Sequence, residues 1–221
     1  MPATRPASGG GRWVRVPPDR LDGFLARFTD RHGSPQVDVT ETVVTVTAPD
    51  GAVAELHIPF PPLRADATDG YGGLVAHVLR PRRVGVLLVR RGGFACGVFE
   101  GERLLIAKVG SRHVQGRTAA GGWSQQRFAR RRDGQVRLAL AAAADAAAAV
   151  LLPEAAALEA LVAGGDRAAA DEVLRDPRLR PLLPLLVARR LDVPDPRRRV
   201  LEATPAAFRG VDVRVDDPVT G

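Results

Sequence analysis

The order of apolar and polar residues in the first third of the chain predicts one helix and a β-hairpin. Apolar residues recur at helical spacing after Asp19, which is suited to cap a helix over about residues 20–31. Valines interleaved with threonines between residues 37 and 46 are typical of a strand. Asp50-Gly51 indicates a hairpin turn that leads into a second strand at 53–58.

The middle of the chain predicts an antiparallel meander followed by a long helix. Three β-rich runs, 84–89, 94–99 and 103–109, are joined by short connections that contain glycine. After a polar stretch with little periodicity, a helix is expected from about residue 124 to 151, stopped by Pro153.

The remaining residues alternate between strand and helix patterns. We expect a buried strand at 158–162, a helix at 167–174 capped by Asp166, a helix at 182–191 and a last strand at 211–215. Strands and helices mix without a strict βαβ rhythm, which predicts an α+β (mixed α/β) fold.

These elements suggest three parts. Residues 1–11, rich in Pro, Gly and Ser, are expected to form a disordered tail. Residues 12–70 form a small α+β element that ends in a proline-containing linker. Residues 71–221, which begin with a short helix at 72–79, form the larger domain.

Positive charge is concentrated in one part of the chain. The formal net charge is +7, yet residues 80–137 hold fourteen Lys or Arg against three acids, leaving −4 for the rest. Such a local excess is the electrostatic footprint expected of a protein that contacts nucleic-acid phosphates.

Other composition features exclude several classes of site. Cys96 is the single cysteine, which excludes a disulfide framework and a cysteine-based zinc site, and the four histidines show no metal-ligand spacing. We therefore expect no metal or cofactor. No apolar stretch follows the N-terminal residues, and the run at 138–152 is too short to span a bilayer. We expect a monomeric cytoplasmic protein without a membrane segment.

The most informative motif is Gly121-Gly122-Trp123-Ser124-Gln125-Gln126, followed by an arginine-rich helix start. Arginines at a helix N-terminus oppose the helix dipole, and an RNA partner would relieve that conflict. A plain turn before a helix is the structural alternative, and Trp123 can equally stack on a base or anchor the loop on the protein. The candidate RNA-binding residues are Arg112, Arg117, Trp123, Arg127, Arg130, Arg131 and Arg132.

The meander, the Gly-Gly loop and the helix start Arg127-Phe128-Ala129-Arg130 resemble, in this order, the middle domain of eukaryotic and archaeal class I peptide-release factors. Those factors carry Gly-Gly-Gln, whereas here Trp123 and Ser124 separate Gly122 from the first glutamine. The Gly-x-x-Gln spacing is similar instead to the Vms-type release-factor-like family of ribosome quality control, in its actinobacterial branch of peptidyl-tRNA hydrolases. The resemblance covers about residues 80–216.

The resemblance implies a peptidyl-tRNA hydrolase that acts on stalled ribosomes or large subunits, with a release-factor-like sheet and flanking helices. Gln125 would position the water that attacks the ester, and Gly121 and Gly122 would admit the loop to a narrow RNA cavity. Gln126 is an alternative active amide, and Ser124 would matter if the segment were a nucleophile elbow. Cleavage near the tRNA 3′ end and non-enzymatic RNA or ribosome binding remain alternative functions.

Overall fold

The computed structural model describes residues 4–7, 10–64, 70–90, 92–111 and 124–218, and of residues 124–133 the backbone alone. The chain forms two compact units, Met1–Arg80 with Pro205–Gly221, and Pro81–Thr204. This division differs from the expected boundary at residue 70. The reason is that a short helix at 74–79 and the last strand both pack with the N-terminal residues.

The first unit is a six-stranded antiparallel sheet in the order β1-β2-β11-β5-β4-β3, packed against helices. Its elements are β1 (Thr4–Pro6), β2 (Arg12–Val16), a 3-10 turn (Pro18–Arg20), α1 (Leu21–His32), β3 (Gln36–Val39), β4 (Val43–Thr47), β5 (Val53–His57), α2 (Leu74–Leu79) and β11 (Val211–Asp216); α6 (Thr204–Phe208) begins at the boundary between the units.

The core of the first unit follows from strand alternation. Burial alternates along β4, β5 and β11, so each strand turns one face to the interior. Helix α1 covers that face with Leu21, Leu25 and Phe28, which are all buried. Full burial of one such side chain contributes about 1.5–3 kcal/mol.

Three expectations for the first unit were wrong. Thr4–Pro6 form a strand paired with β2 rather than part of a disordered tail. The β-rich stretch at 37–46 is two strands, because the Thr40 Oγ1 accepts from the Val43 backbone N–H at 3.0 Å and closes a turn. Asp19 does not cap α1, since Pro18 starts a 3-10 turn that places Arg20 at the cap position.

The second unit is a five-stranded mixed sheet in the order β10-β9-β6-β7-β8. Strands β6, β7 and β8 form the predicted antiparallel meander, and β9 lies parallel to both β6 and β10. Its elements are β6 (Arg83–Arg90), β7 (Gly93–Glu100), β8 (Arg103–Ser111), α3 (Ser124–Leu151), β9 (Ala160–Gly165), α4 (Arg167–Leu174), a 3-10 segment (Pro177–Leu185), β10 (Leu186–Leu191) and α5 (Arg198–Glu202).

Helix α3 is the main support of this sheet. It packs on β7 and β8 through buried small side chains, among them Ala143, Ala146 and Ala147. The stretch Gly134–Leu151 is long and apolar enough to cross a membrane, with a mean hydropathy of 1.3. One third of that stretch is buried inside the protein, including Ala143, Ala146 and Ala147.

Two further expectations for the second unit had opposite outcomes. Helix α4 begins as predicted, with the Asp166 carboxylate accepting from the Ala169 backbone N–H at 3.2 Å. The helix expected at 182–191 is wrong. Pro181 and Pro184 confine the chain to a 3-10 segment, after which Leu186–Leu191 become strand β10.

Candidate functional site

The glutamines of the motif lie in the first turn of α3. The helix begins at Ser124, so Gln125 and Gln126 are its second and third residues, and the first turn carries no acidic side chain. The first four backbone N–H groups of a helix have no partner inside it and give this end a partial positive charge. The arrangement therefore favours an anion, or developing negative charge, beside Gln125.

The other predicted site residues fall into two groups. Backbone positions alone are described for Arg127, Arg130, Arg131 and Arg132, which follow the glutamines in α3. Outside the described residues lie Arg112, Arg117, Gly121, Gly122 and Trp123. The roles assigned to all of these side chains stay predictions.

The glutamines follow the meander in the chain. Strand β8 ends at Ser111, and residues 112–123 connect it to the start of α3. Strand β8 is the outermost strand, paired with β7 on one side. Along the chain, Gln125 and Gln126 therefore follow the outermost strand of the sheet and begin the helix that packs on that sheet.

Among the described side chains of α3, those of its C-terminal half pack into the core. Among its described side chains, those that join the core begin at Leu140, and full burial begins at Ala143, while Leu138 is 58% exposed. Gln125 precedes Leu140 by fifteen residues, or about 22 Å at a rise of 1.5 Å per residue. The helix therefore carries its N-terminal residues well beyond the first core contact of its described side chains.

Arg178 links α3 to the 3-10 segment through an exposed ion pair. Its guanidinium donates to Asp145 of α3 at 2.8 Å and to Asp176, which caps the 3-10 segment, at 2.7 Å. The hydrogen bond from the Arg178 side chain, with a second from its backbone N–H, lowers the pKa of Asp176 to about 2. Sequence reasoning missed this link, because 33 residues separate Asp145 from Arg178 and local spacing does not bring them together.

Some basic side chains of β8 and α3 are paired with an acidic side chain, and others are not. Arg103 of β8 donates to Glu100 at 2.8 Å, and this hydrogen bond lowers the pKa of Glu100. Lys108 of β8 and Arg137 of α3 are exposed and make no ion pair within the described part of the chain. Positive potential therefore remains on β8 and α3.

The described residues contain no group of three or more His, Cys, Asp or Glu side chains placed to hold a metal ion. Cys96 is buried in β7, and desolvation raises the pKa of its thiol to about 12. A thiol with that pKa stays protonated near neutrality and is a poor nucleophile.

The family comparison places this site in a known group of proteins. The model of the Actinobacteria/Chloroflexi VLRF1 release factor matches residues 82–214, more than half of the chain, including the whole glutamine motif. The chain belongs to this VLRF1 release-factor family. The expected relationship to Vms-like release factors is confirmed.

Solved structures show weaker likenesses. An archaeal translation termination factor, aRF1, has a TM-score of 0.44 and 17% identity, with 89% of this chain and 66% of that chain covered. A second archaeal protein has a TM-score of 0.42 and 18% identity, with 74% and 51% covered. The Vms1 mitochondrial localization core has a TM-score of 0.43 and 8% identity, with 82% and 92% covered. No curated protein matches the chain.

Proposed function

We propose that this VLRF1-family protein is a peptidyl-tRNA hydrolase that releases nascent chains on stalled ribosomes or large subunits. The observation that carries the proposal is the family match across the Gly-Gly-x-x-Gln segment at the head of α3. The substrate bond is the ester between the peptide and the terminal ribose of tRNA. The partners are the ribosomal large subunit and peptidyl-tRNA, and the protein acts as a cytoplasmic monomer without a cofactor.

Gln125 acts by position rather than by titration. Its amide has one acceptor oxygen and two donor hydrogens, so it can accept from a water and donate to the substrate at the same time. It does not ionise near neutral pH and is no general base, so the proton of the water passes through RNA groups such as the ribose hydroxyl. Held in one geometry, the water needs little further ordering to reach the ester carbonyl.

The oxyanion that forms at the ester carbonyl needs nearby donors. Free N–H groups in the first turn of α3 and the backbone of Gly121 and Gly122 supply them. The absence of acids in that first turn supports this role, because a carboxylate there would compete for the same N–H groups. Arg127 and Arg130 to Arg132 then contact phosphates and hold the loop in the RNA cavity.

The shape of α3 supports delivery of the glutamine. The active bond of a ribosome-bound peptidyl-tRNA is enclosed by RNA, so the catalytic residue must stand away from the body of the factor. The stretch of about 22 Å between Gln125 and Leu140 provides such a distance.

The test is release of labelled peptide from peptidyl-tRNA on stalled large subunits. We expect Gln125→Ala to slow release about 10²–10³-fold, the usual cost of removing a transition-state hydrogen-bond group. Gln135→Ala is the matched control, because it removes the same side chain from the same helix ten residues further on. The control should release peptide at the wild-type rate.

Four outcomes would contradict the proposal or change the assignment. Equal release by wild type and Gln125→Ala would reject the role of Gln125, and loss with Gln126→Ala instead would transfer the role to Gln126. A shortened tRNA product would identify a nuclease rather than an ester hydrolase. Unchanged rescue with Gln125→Ala but loss with Arg130→Glu would identify a non-enzymatic RNA-binding factor.

A further inference from the structure

Four strands of the second unit end at the same side of its sheet. Strands β6, β9 and β10 are parallel, and β8 has the same direction because β6 and β8 are both antiparallel to β7. Their last residues are Arg90, Ser111, Gly165 and Leu191. These residues mark the carboxyl end of the sheet, which is where ligands usually bind in open sheets with parallel strands.

Helix α3, which carries the glutamines, starts toward this carboxyl end. Its last residue is Leu151, and a Cβ added at Gly85 would lie 3.3 Å from the Leu151 Cδ2. Gly85 is near the first residue of β6, so α3 finishes at the opposite end of the sheet. Because α3 packs along β7 and β8, its first residues point toward the carboxyl end.

The segment that leads into α5 adds a run of arginines at the carboxyl end. A Cβ added at Gly93, the first residue of β7, would lie 3.8 Å from the Pro196 carbonyl oxygen. A Cβ added at Gly97, further along β7, would lie 3.1 Å from the Leu201 Cδ2. The chain from Pro196 to Leu201 therefore runs along β7, starting at the carboxyl end. The exposed residues that follow Pro196 directly are Arg197, Arg198 and Arg199.

Ion pairs neutralise some of the arginines at this end and leave others free. The pairs are Arg90 with Asp192 at 3.4 Å, Arg190 with Asp171 at 2.7 Å and Arg198 with Glu202 at 2.8 Å. Arg167, which follows β9, is 81% exposed and lies 3.9 Å from the Asp171 that Arg190 already contacts.

The balance at the carboxyl end is positive. Arg197 and Arg199 make no ion pair with any described residue. Asp195 is the one acid among the described residues 190–202 that makes no ion pair. Arg167, Arg197 and Arg199 therefore remain against a single free carboxylate.

The arginines that begin β6 and β8, at the other end of the sheet, are neutralised. Arg83 contacts Glu154 at 3.3 Å, and Arg103 contacts Glu100 at 2.8 Å. One exposed arginine is by itself typical of a solvated surface. The contrast between the two ends of the strands is what favours an anionic partner at the carboxyl end.

We propose that the carboxyl end binds the backbone of the tRNA whose ester is cleaved at the head of α3. Arg167 follows β9 and Arg197 lies beside the start of β7, two strands away, or about 10 Å at a spacing of about 4.8 Å. Arginines spread over that width are suited to successive phosphates of one backbone, and such contacts position an RNA without reading its sequence.

The tRNA is favoured over ribosomal RNA because the reacting ester is part of the tRNA, so its phosphates accompany that bond wherever it binds. The inference rests on the proposed function, since it identifies the bound RNA as the substrate of that site.

The test is binding of labelled deacylated tRNA to the full-length protein, followed by fluorescence anisotropy. Removing two phosphate contacts with Arg197→Ala/Arg199→Ala should weaken binding about 25-fold at ~0.1 M salt and reduce the salt slope by about 1.4. Arg167→Ala, which removes one contact, should weaken binding about fivefold under the same conditions.

The matched control is Arg175→Ala/Arg180→Ala, which removes the same charge from two exposed positions between the end of α4 and the start of β10. It should bind tRNA as tightly as the wild type. Equal loss in both double variants would overturn the inference, because binding would then follow net charge alone. Unchanged binding by Arg197→Ala/Arg199→Ala, or absence of tRNA binding by the wild type, would also overturn it.

Two further measurements identify the partner. Tighter binding of polyglutamate than of tRNA would overturn the inference in favour of an acidic protein. Weaker binding of the arginine variant to large subunits, with its tRNA affinity unchanged, would overturn it in favour of ribosomal RNA. No ester is present in the binding assay, and Gln125→Ala should bind tRNA like the wild type. Binding that depends on these arginines without peptide release would thus contradict the proposed function alone.

Discussion

Replacing Gly164 with alanine tests how tightly β9 is packed into the sheet of the second unit. A Cβ at this position would lie 2.7 Å from the Leu191 carbonyl oxygen and 2.8 Å from the Leu191 Cβ. Gly164 and Leu191 are register partners in the β9–β10 pair. Neither clashing atom is the end of a flexible side chain, so relief requires a shift of the strand.

The cost follows from those distances. Carbon atoms in good contact lie about 3.5 Å apart, so β10 must move by about 0.7 Å at Leu191 and weaken its ladder. Overpacking of this kind costs about 1–3 kcal/mol, and the smaller backbone entropy of alanine in the unfolded chain returns about 0.4–1 kcal/mol. We expect a net loss of about 1–2 kcal/mol in the free energy of unfolding.

The same substitution at Gly134 is the control. A Cβ there would meet nothing within 4 Å, and the residue lies inside α3. Alanine is preferred over glycine in a helix interior by about 0.5–1 kcal/mol, so Gly134→Ala should stabilise the protein.

Urea unfolding followed by far-UV circular dichroism measures both variants against wild type. We expect the free energy of unfolding to fall in Gly164→Ala and to rise in Gly134→Ala, so that the two variants differ by about 2 kcal/mol. A Gly164→Ala variant as stable as wild type would refute the packing argument, because β10 would then have to move without cost. Destabilisation by Gly134→Ala would refute the placement of Gly134 in an open helix interior.

Two further predictions concern single side chains of the second unit. Because the pKa of Asp176 is lowered to about 2 by its bonds to Arg178, its stabilising effect should be present above the unfolded pKa of about 4 and be lost as the pH falls toward 2. Melting temperatures of wild type and Asp176→Asn should therefore differ at pH 6 and converge toward pH 2; a constant difference would contradict this. Cys96, with its pKa raised to about 12 by burial, should resist a thiol reagent at pH 8 and react once the protein is unfolded in urea. Fast labelling of the folded protein would show that β7 is more open than described.

Local pattern predicted those parts of the fold that local interactions determine. Helix α3 and the meander follow from hydrophobic periodicity and short glycine turns, and α4 follows from the cap at Asp166. Strand β10 was mistaken for a helix because its apolar residues continue those of the 3-10 segment before it. The pairing of β11 with β2 and β5 joins segments far apart in sequence, which no local pattern reveals.

The candidate site is visible in the sequence alone. The glutamine motif stands out because paired glycines and arginines at a helix start break local rules within a few residues.

Strand β11 is synthesised after the two strands with which it pairs, and this affects how the sheet of the first unit forms. This strand is translated after both of its neighbours, yet it lies inside the six-stranded sheet, between β2 and β5. Until it emerges, both of those neighbours present unpaired backbone edges, which are prone to associate with other chains. The second unit is complete by Thr204 and can fold earlier. A chain truncated before Val211 would thus keep its helix α3 but never close its N-terminal sheet.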